Sequence, residues 1–344
     1  MAVEHTGCGL TDPGEACPVG RGGYAGWELT GSPFQISVTS DDDAGSGDGS
    51  GGGQPMRWCT AAEAGAASGR WVARAAAIRA SMYTLEDIDR VERLDWIWVP
   101  YICRIRLLAA SDVRSCFDRQ RISLYMLGSS VERTYFFNLL RLLGIEFTPS
   151  KDTQIFRATD RFAYRKSSTF AFCEKFVEHT SHLSRYCTTF KDTLKVQFDA
   201  FARLQGNKTT DVLLLDSMWV YGGYLKQFAA NATMPLREVL RGYQGRPICS
   251  TPFVVHQHRC DFMKTRWFSA SLPRSRWMHR WVVDQAREAQ CPLFDVQNMI
   301  LSRDDASDDC IHYYEENMLI GGTVMRMVLH ALLNMICPAD SDAV

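Results

Sequence analysis

Short apolar runs and helical patterns alternate along the chain. The run Ile122–Leu127 predicts a buried strand, and it is followed at once by Val131–Leu143, in which apolar residues recur at helical spacing. The same reasoning predicts three more strands and a closing helix, at Asp211–Leu215, Pro247–Val255, Pro292–Val296 and Met318–Ile336. Strands that alternate with helices favour an α/β fold with one doubly wound, mainly parallel sheet.

The N-terminal part of the chain has a different composition. Residues 40–54 are almost entirely Gly, Ser and Asp, which cannot bury a core and which predict a flexible linker. We therefore expect an N-terminal segment with its linker at 1–54 and a folded domain at 55–344. No apolar run reaches the roughly 20 residues of a membrane span, because the best candidate, Met318–Ile336, contains Arg326 and Asn334.

Composition and charge narrow the function further. The 344 residues include 46% hydrophobic residues and 11% aromatic residues, enough for a full core, so global disorder is excluded. Lys and Arg number 38 against 39 Asp and Glu, and this balance predicts no nucleic-acid partner.

Twelve cysteines are dispersed along the chain without a CxxC pair, so neither a zinc ribbon nor a thioredoxin-like redox site is indicated. We predict no metal and no cofactor. The first thirty residues lack the pattern of a secretory signal, which favours the cytosol. The dispersed cysteines and the N-x-T triplets at Asn207 and Asn231 favour an oxidising lumen instead. Both interpretations stay open on these grounds.

The first candidate for chemistry is the predicted strand-to-helix junction that runs from Gly128 to Arg133. Ligands of α/β sheets collect at the carboxyl ends of strands, where a helix N-terminus offers free N–H groups to a developing negative charge. A serine at this turn can act as a nucleophile. The same residues also fit a plain helix cap, with glycine in the turn and a serine as acceptor.

The second candidate lies just before the closing helix. Asp309 and His312 are three residues apart, so in a turn the carboxylate can reach the imidazole. That contact would select the tautomer whose Nε2 can take a proton from a serine hydroxyl.

The two candidates together resemble the PC-esterase branch of the SGNH (GDSL-type) hydrolases, which includes trichome-birefringence-like polysaccharide O-acetyltransferases and neurexophilin-like relatives. The resemblance covers roughly Arg57 to Cys337. The motifs that carry it occur in the family's order: Cys59 with Gly69-Arg70-Trp71-Val72, Trp96-Ile97-Trp98-Val99-Pro100-Tyr101-Ile102-Cys103, the junction Gly128-Ser129-Ser130-Val131-Glu132-Arg133, and Asp309-Cys310-Ile311-His312.

The resemblance implies a three-layer α/β/α fold of the flavodoxin-like type, with a catalytic triad of Ser130, His312 and Asp309. Candidate oxyanion or substrate-binding residues are Gly128, Ser129, Arg133, Ser217 and Trp219. The chain departs from the family at two places. Ser129 stands where the family has Asp, so GDS becomes GSS, and Asp216-Ser217-Met218-Trp219 replaces the GxWD or GxND element.

The resemblance implies an acyl-serine enzyme that transfers acetyl groups to carbohydrate hydroxyls. Its partners would be a carbohydrate acceptor and an acetyl donor, and its location the lumen of the secretory pathway, in the Golgi or after secretion. A carbohydrate acetylesterase is the first alternative, since water can replace the sugar hydroxyl. A catalytically inactive glycan-binding protein is the second, and the two departures from the family motivate it.

Overall fold

A computed structural model describes most of the chain that follows the predicted linker. The described residues are 56–91, 94–128, 130–148, 155–159, 162–166, 211–216, 245–254, 272–307, 311–314 and 320–338, with positions 237, 240, 241 and 243 between them. The stretch Met56–Val344 is one compact unit. The predicted segment 1–54 lies outside the described residues.

The described part has a mixed α/β architecture, as expected. Its strands are β1 (Gly69–Ala73), β2 (Trp96–Pro100), β3 (Ser123–Gly128), β4 (Ile155–Thr159), β5 (Phe162–Lys166), β6 (Asp211–Asp216), β7 (Arg246–Ser250) and β8 (Leu293–Phe294). Its α-helices are α1 (Ala61–Ala66), α2 (Arg74–Arg79), α3 (Leu85–Asp89), α4 (Ala110–Arg119), α5 (Ser130–Leu142), α6 (Leu272–Glu288), α7 (Val296–Ile300) and α8 (Thr323–Ile336).

Six strands form the main sheet in the order β4-β5-β3-β6-β7-β8, and β1 and β2 form a separate antiparallel pair. Within the main sheet, β5, β3, β6, β7 and β8 are parallel, while β4 is antiparallel to β5 at the edge. The chain leaves β3 for β4 and β5 on one side and returns to β6 on the other. The strand order therefore reverses at β3, and open α/β sheets bind ligands at such a reversal.

The core forms around β3, α5 and α8. Leu124 and Met126 of β3 are fully buried, and α5 is buried on all sides from Val131 to Leu140. Helix α8 packs against α5 and buries nearly every residue from Val324 to Ile336. Two helices this deeply buried have little freedom to move, which makes α5 a rigid support for the residue at its N-terminus.

The predicted strands and helices are found, with shifted ends. The closing helix begins at Thr323 rather than at Met318, because Gly321 pairs in a β-bridge with Tyr314 and Gly322 donates its N–H to the carbonyl of Tyr313. Strand β7 ends at Ser250, two residues before Pro252, which has no N–H to donate. Strand β8 has only two residues, because Asp295 already caps α7.

Three disulfides connect distant parts of the described chain: Cys59–Cys103, Cys116–Cys337 and Cys249–Cys291. They are compatible with a protein of an oxidising compartment such as the secretory lumen. None of the helices in the described ranges combines the length and the apolarity that crossing a bilayer requires.

Candidate active site

Ser130 is the first residue of α5 and follows the central strand β3 after a single intervening position. It therefore stands at the carboxyl end of the strand where the sheet order reverses. The N-terminus of a helix carries partial positive charge and free N–H groups, both of which favour an anion. Ser130 is partly exposed to solvent.

The sharp turn between β3 and α5 depends on Gly128. A Cβ at this position would lie 2.6 Å from the Cβ of Glu132, closer than two such carbons approach each other. Glu132 and its neighbour Arg133 are both buried in the first turns of α5. Only a residue without a side chain lets the strand end this close to the helix that follows it.

His312 lies in an irregular segment, 311–314, that leads toward α8. Two contacts hold this segment. The buried Tyr313 donates its hydroxyl to the carbonyl of Ile300 at 3.4 Å. Tyr314 forms an antiparallel bridge with Gly321, in which the Tyr313 carbonyl accepts the N–H of Gly322 at 2.8 Å. The position of His312 is therefore set by the two residues that follow it in the sequence.

The two predicted groups meet in space. The Oγ of Ser130 and the Nε2 of His312 are 2.7 Å apart, although 182 positions separate the residues along the chain. This is hydrogen-bond distance, and it is the distance at which an imidazole takes a proton from a hydroxyl. For Nε2 to accept that proton, the neutral ring has to carry its own hydrogen on Nδ1.

The remaining predicted site residues fall into two groups. Gly128 ends β3 and Arg133 is buried in α5, so both belong to the junction that carries Ser130. The others lie outside the described residues: Ser129, Ser217, Trp219 and Asp309. The proposed contact between Asp309 and His312 thus stays a prediction.

One aromatic contact at the site was not foreseen. The ring of Tyr314 stacks on the imidazole of His312, with 4.6 Å between the ring centroids and 13° between the planes. No pattern in the sequence marks Tyr314, because the stack depends on how the backbone of 311–314 is folded.

An imidazole–carboxylate pair that the sequence did not indicate lies at the carboxyl ends of β7 and β8. The Nε2 of His279 is 2.9 Å from both carboxylate oxygens of Asp295, and Thr251 donates its hydroxyl to the same carboxylate at 3.2 Å. The Asp295 side chain also caps α7, because it accepts the backbone N–H of Asn298. The available sign that these predicted strands end early was the polar residues inside them, Ser250 and Thr251 in one and Asp295 in the other.

The described residues contain no cluster of three or more His, Cys, Asp or Glu side chains that could hold a metal ion. Neither a scan against models of protein families nor a search of curated proteins finds a match to this chain.

Proposed function

We propose that this protein is an acyl-serine enzyme in which Ser130 is the nucleophile and His312 is the general base. The observation that carries the proposal is the 2.7 Å separation of Ser130 Oγ and His312 Nε2 at the carboxyl end of the central strand. A hydroxyl is a weak nucleophile unless a base removes its proton as the new bond forms, and His312 is placed to do so.

In the first half-reaction, Ser130 Oγ attacks the carbonyl carbon of an ester donor while its proton moves to His312 Nε2. The tetrahedral intermediate then collapses, and the donor oxygen leaves with the proton from His312. In the second half-reaction, an acceptor hydroxyl attacks the acyl-serine, gives its proton to His312 and leaves as the ester. Ser130 recovers its proton, so the net result is an acyl group exchanged between two hydroxyl compounds.

Asp309 would accept the Nδ1–H of His312 and stabilise the imidazolium that forms in each half-reaction. The oxyanion would be bound by N–H groups at the start of α5, including that of Ser130, and one such donor is worth about 3 kcal/mol of transition-state stabilisation. Gly128, Ser129 and Arg133 would shape this turn, while Ser217 and Trp219, just past β6, would contact the substrate.

We further propose that the fold is a three-layer SGNH-like α/β/α domain and that the acceptor is a carbohydrate hydroxyl, which makes the protein a glycan or polysaccharide O-acetyltransferase. The support for this finer assignment is the series of motifs that resembles the PC-esterase branch. The three disulfides are compatible with the Golgi lumen or the extracellular space, where such an enzyme would meet its glycan.

Labelling with a serine-directed fluorophosphonate tests the nucleophile. We expect the wild type to be labelled and Ser130→Ala to remain unlabelled. Ser111→Ala, which changes an exposed serine in the first turn of α4, is the matched control and should label like the wild type. His312→Ala and Asp309→Asn should keep the wild-type circular dichroism spectrum and label slower by about a thousandfold or more, since such groups act as a unit.

Turnover of an aryl acetate then separates the candidate functions. Acetyl transfer to an added oligosaccharide supports the transferase, and release of acetate that the oligosaccharide does not change supports the esterase. No labelling of a folded wild-type protein would contradict the acyl-serine mechanism and leave the glycan-binding alternative. Wild-type labelling rates in His312→Ala would refute the role of His312.

A further inference from the structure

The distance between Ser130 and His312 depends on how the segment that carries His312 is held in place. Ser130 belongs to a deeply buried helix, whereas His312 belongs to a segment without regular secondary structure. A separation of 2.7 Å can persist only if contacts from the rest of the fold hold the irregular segment. A misplacement of about 1 Å can cost a hundredfold in rate, so these contacts matter for catalysis.

Helix α5 itself supplies such a contact, about 12 Å along its axis from Ser130. The side-chain amide of Asn138 donates from Nδ2 to the carbonyl of Gly321 at 3.0 Å. Asn138 is almost fully buried, and a Cβ at Gly321 would lie 2.9 Å from its Nδ2, so the amide fits against this glycine. A buried hydrogen bond of this kind is costly to break, because the carbonyl would be left without a partner.

Gly321 in turn is paired with the segment that contains His312. It pairs with Tyr314 in the antiparallel bridge, and the ring of Tyr314 stacks on the imidazole. Contacts therefore lead from Asn138 through Gly321 and Tyr314 to His312. Both members of the Ser130–His312 pair are thus attached to the same rigid helix, one directly and one through this series of contacts.

We propose that Asn138 and Tyr314 are positioning residues for His312. Asn138 fixes the backbone that presents Tyr314, and the Tyr314 ring fixes the plane of the imidazole, so that Nε2 faces the Ser130 hydroxyl. The ring face also offers negative potential to the imidazolium that proton transfer creates. The catalytic part of this inference rests on the proposed function, while the geometric part does not depend on turnover.

The kinetic test compares two pairs of variants in the full chain. Tyr314→Leu removes the ring and Tyr314→Phe keeps it. Asn138→Leu removes the amide donor at similar volume and Asn138→Gln keeps it. We expect both Leu variants to lose at least about tenfold in kcat for an aryl acetate with KM unchanged, and the Phe and Gln variants to restore most of the rate. Leu variants with wild-type kcat would overturn the proposal, as would a Phe variant as slow as the Leu variant.

A spectroscopic test separates this proposal from the proposed function. In protein labelled at its eight histidines, His312 is assigned by comparison with His312→Ala. Its ring signals should lose the Tyr314 ring-current shift in Tyr314→Leu, keep it in Tyr314→Phe and move in Asn138→Leu. If the folded wild type does not react with the fluorophosphonate but shows these shifts, the enzymatic proposal fails and the positioning of His312 stands. If the shifts of His312 are unchanged in the Leu variants, the positioning is overturned. If Asn138→Leu fails to fold, the comparison of Tyr314→Leu with Tyr314→Phe tests the positioning by itself, because Tyr314 is partly exposed and its replacement disturbs the core less.

Discussion

At the scale of single residues, the buried histidine His330 has to be neutral for its hydrogen bond to form. His330 of α8 is buried and accepts the backbone N–H of Leu108 at its Nδ1, 3.3 Å away. Removal from water, reinforced by the positive charge of Arg326, lowers the pKa of His330 to about 4. The imidazole is therefore neutral at pH 7, as its acceptor role requires, because a protonated Nδ1 could not accept the Leu108 N–H.

This burial predicts a loss of stability in weak acid. The unfolded chain binds a proton at His330 near the ordinary pKa of 6.5, whereas the folded state resists protonation until about pH 4. Protonation of His330 in the unfolded chain therefore leaves the free energy of unfolding unchanged above pH 6.5. Between pH 6.5 and pH 4 it lowers that free energy by about 3 kcal/mol. Urea unfolding between pH 7 and 4 measures it.

The control for this prediction is His330→Gln, which removes the titrating group. Its unfolding free energy should depend less steeply on pH than that of the wild type over the same interval. Parallel pH profiles for the two proteins would show that His330 is not the group responsible.

At the scale of elements, the sequence predicted the presence and type of the strands and helices better than the residues at which they begin and end. Strand β3 and helix α5 agree with the apolar pattern to within one residue at each end, because one is a continuous apolar run and the other has helical periodicity. The start of α8 was wrong by five residues, since the apolar pattern continues through Gly321 and Gly322 while their backbone groups pair with Tyr313 and Tyr314. An apolar pattern does not report such backbone pairing.

The junction of β3 and α5 supports a prediction of its own. Gly128→Ala should lower the free energy of unfolding by about 1–3 kcal/mol and slow the labelling of Ser130, because the new methyl group collides with the buried Glu132 side chain and shifts the start of the helix. Chemical denaturation and fluorophosphonate labelling measure the two effects. Ser111→Ala, at an exposed position, should leave both unchanged, and a Gly128→Ala protein as stable as the wild type would contradict the tight turn.

At the scale of the whole molecule, the disulfides constrain the unfolded chain to different extents. Cys116–Cys337 joins residues 221 positions apart, and Cys249–Cys291 joins residues 42 positions apart. All four cysteines are buried, so removing either pair leaves a similar local defect. Chain entropy then predicts that loss of the longer loop costs about 1.5 kcal/mol more than loss of the shorter one.

Two double variants check this ranking by chemical denaturation: Cys116→Ala with Cys337→Ala, and Cys249→Ala with Cys291→Ala. An equal or larger loss in the second protein would refute the entropic ranking. Thiol counting under denaturing conditions provides a separate measure, because the three disulfides use six of the twelve cysteines. At most six free thiols are expected, and twelve would contradict the disulfides.

The sequence by itself determined the α/β class, the identity of Ser130 and His312 as candidates, and the strand and helix that carry Ser130, because hydrophobic periodicity and local motifs record short-range constraints. The tertiary structure alone decided which strand is central, that Ser130 and His312 lie 2.7 Å apart, that Asn138 donates to the carbonyl of Gly321, and that the Tyr314 ring stacks on the imidazole. These features arise from contacts between segments as far as 183 positions apart, and such contacts form only when the core packs.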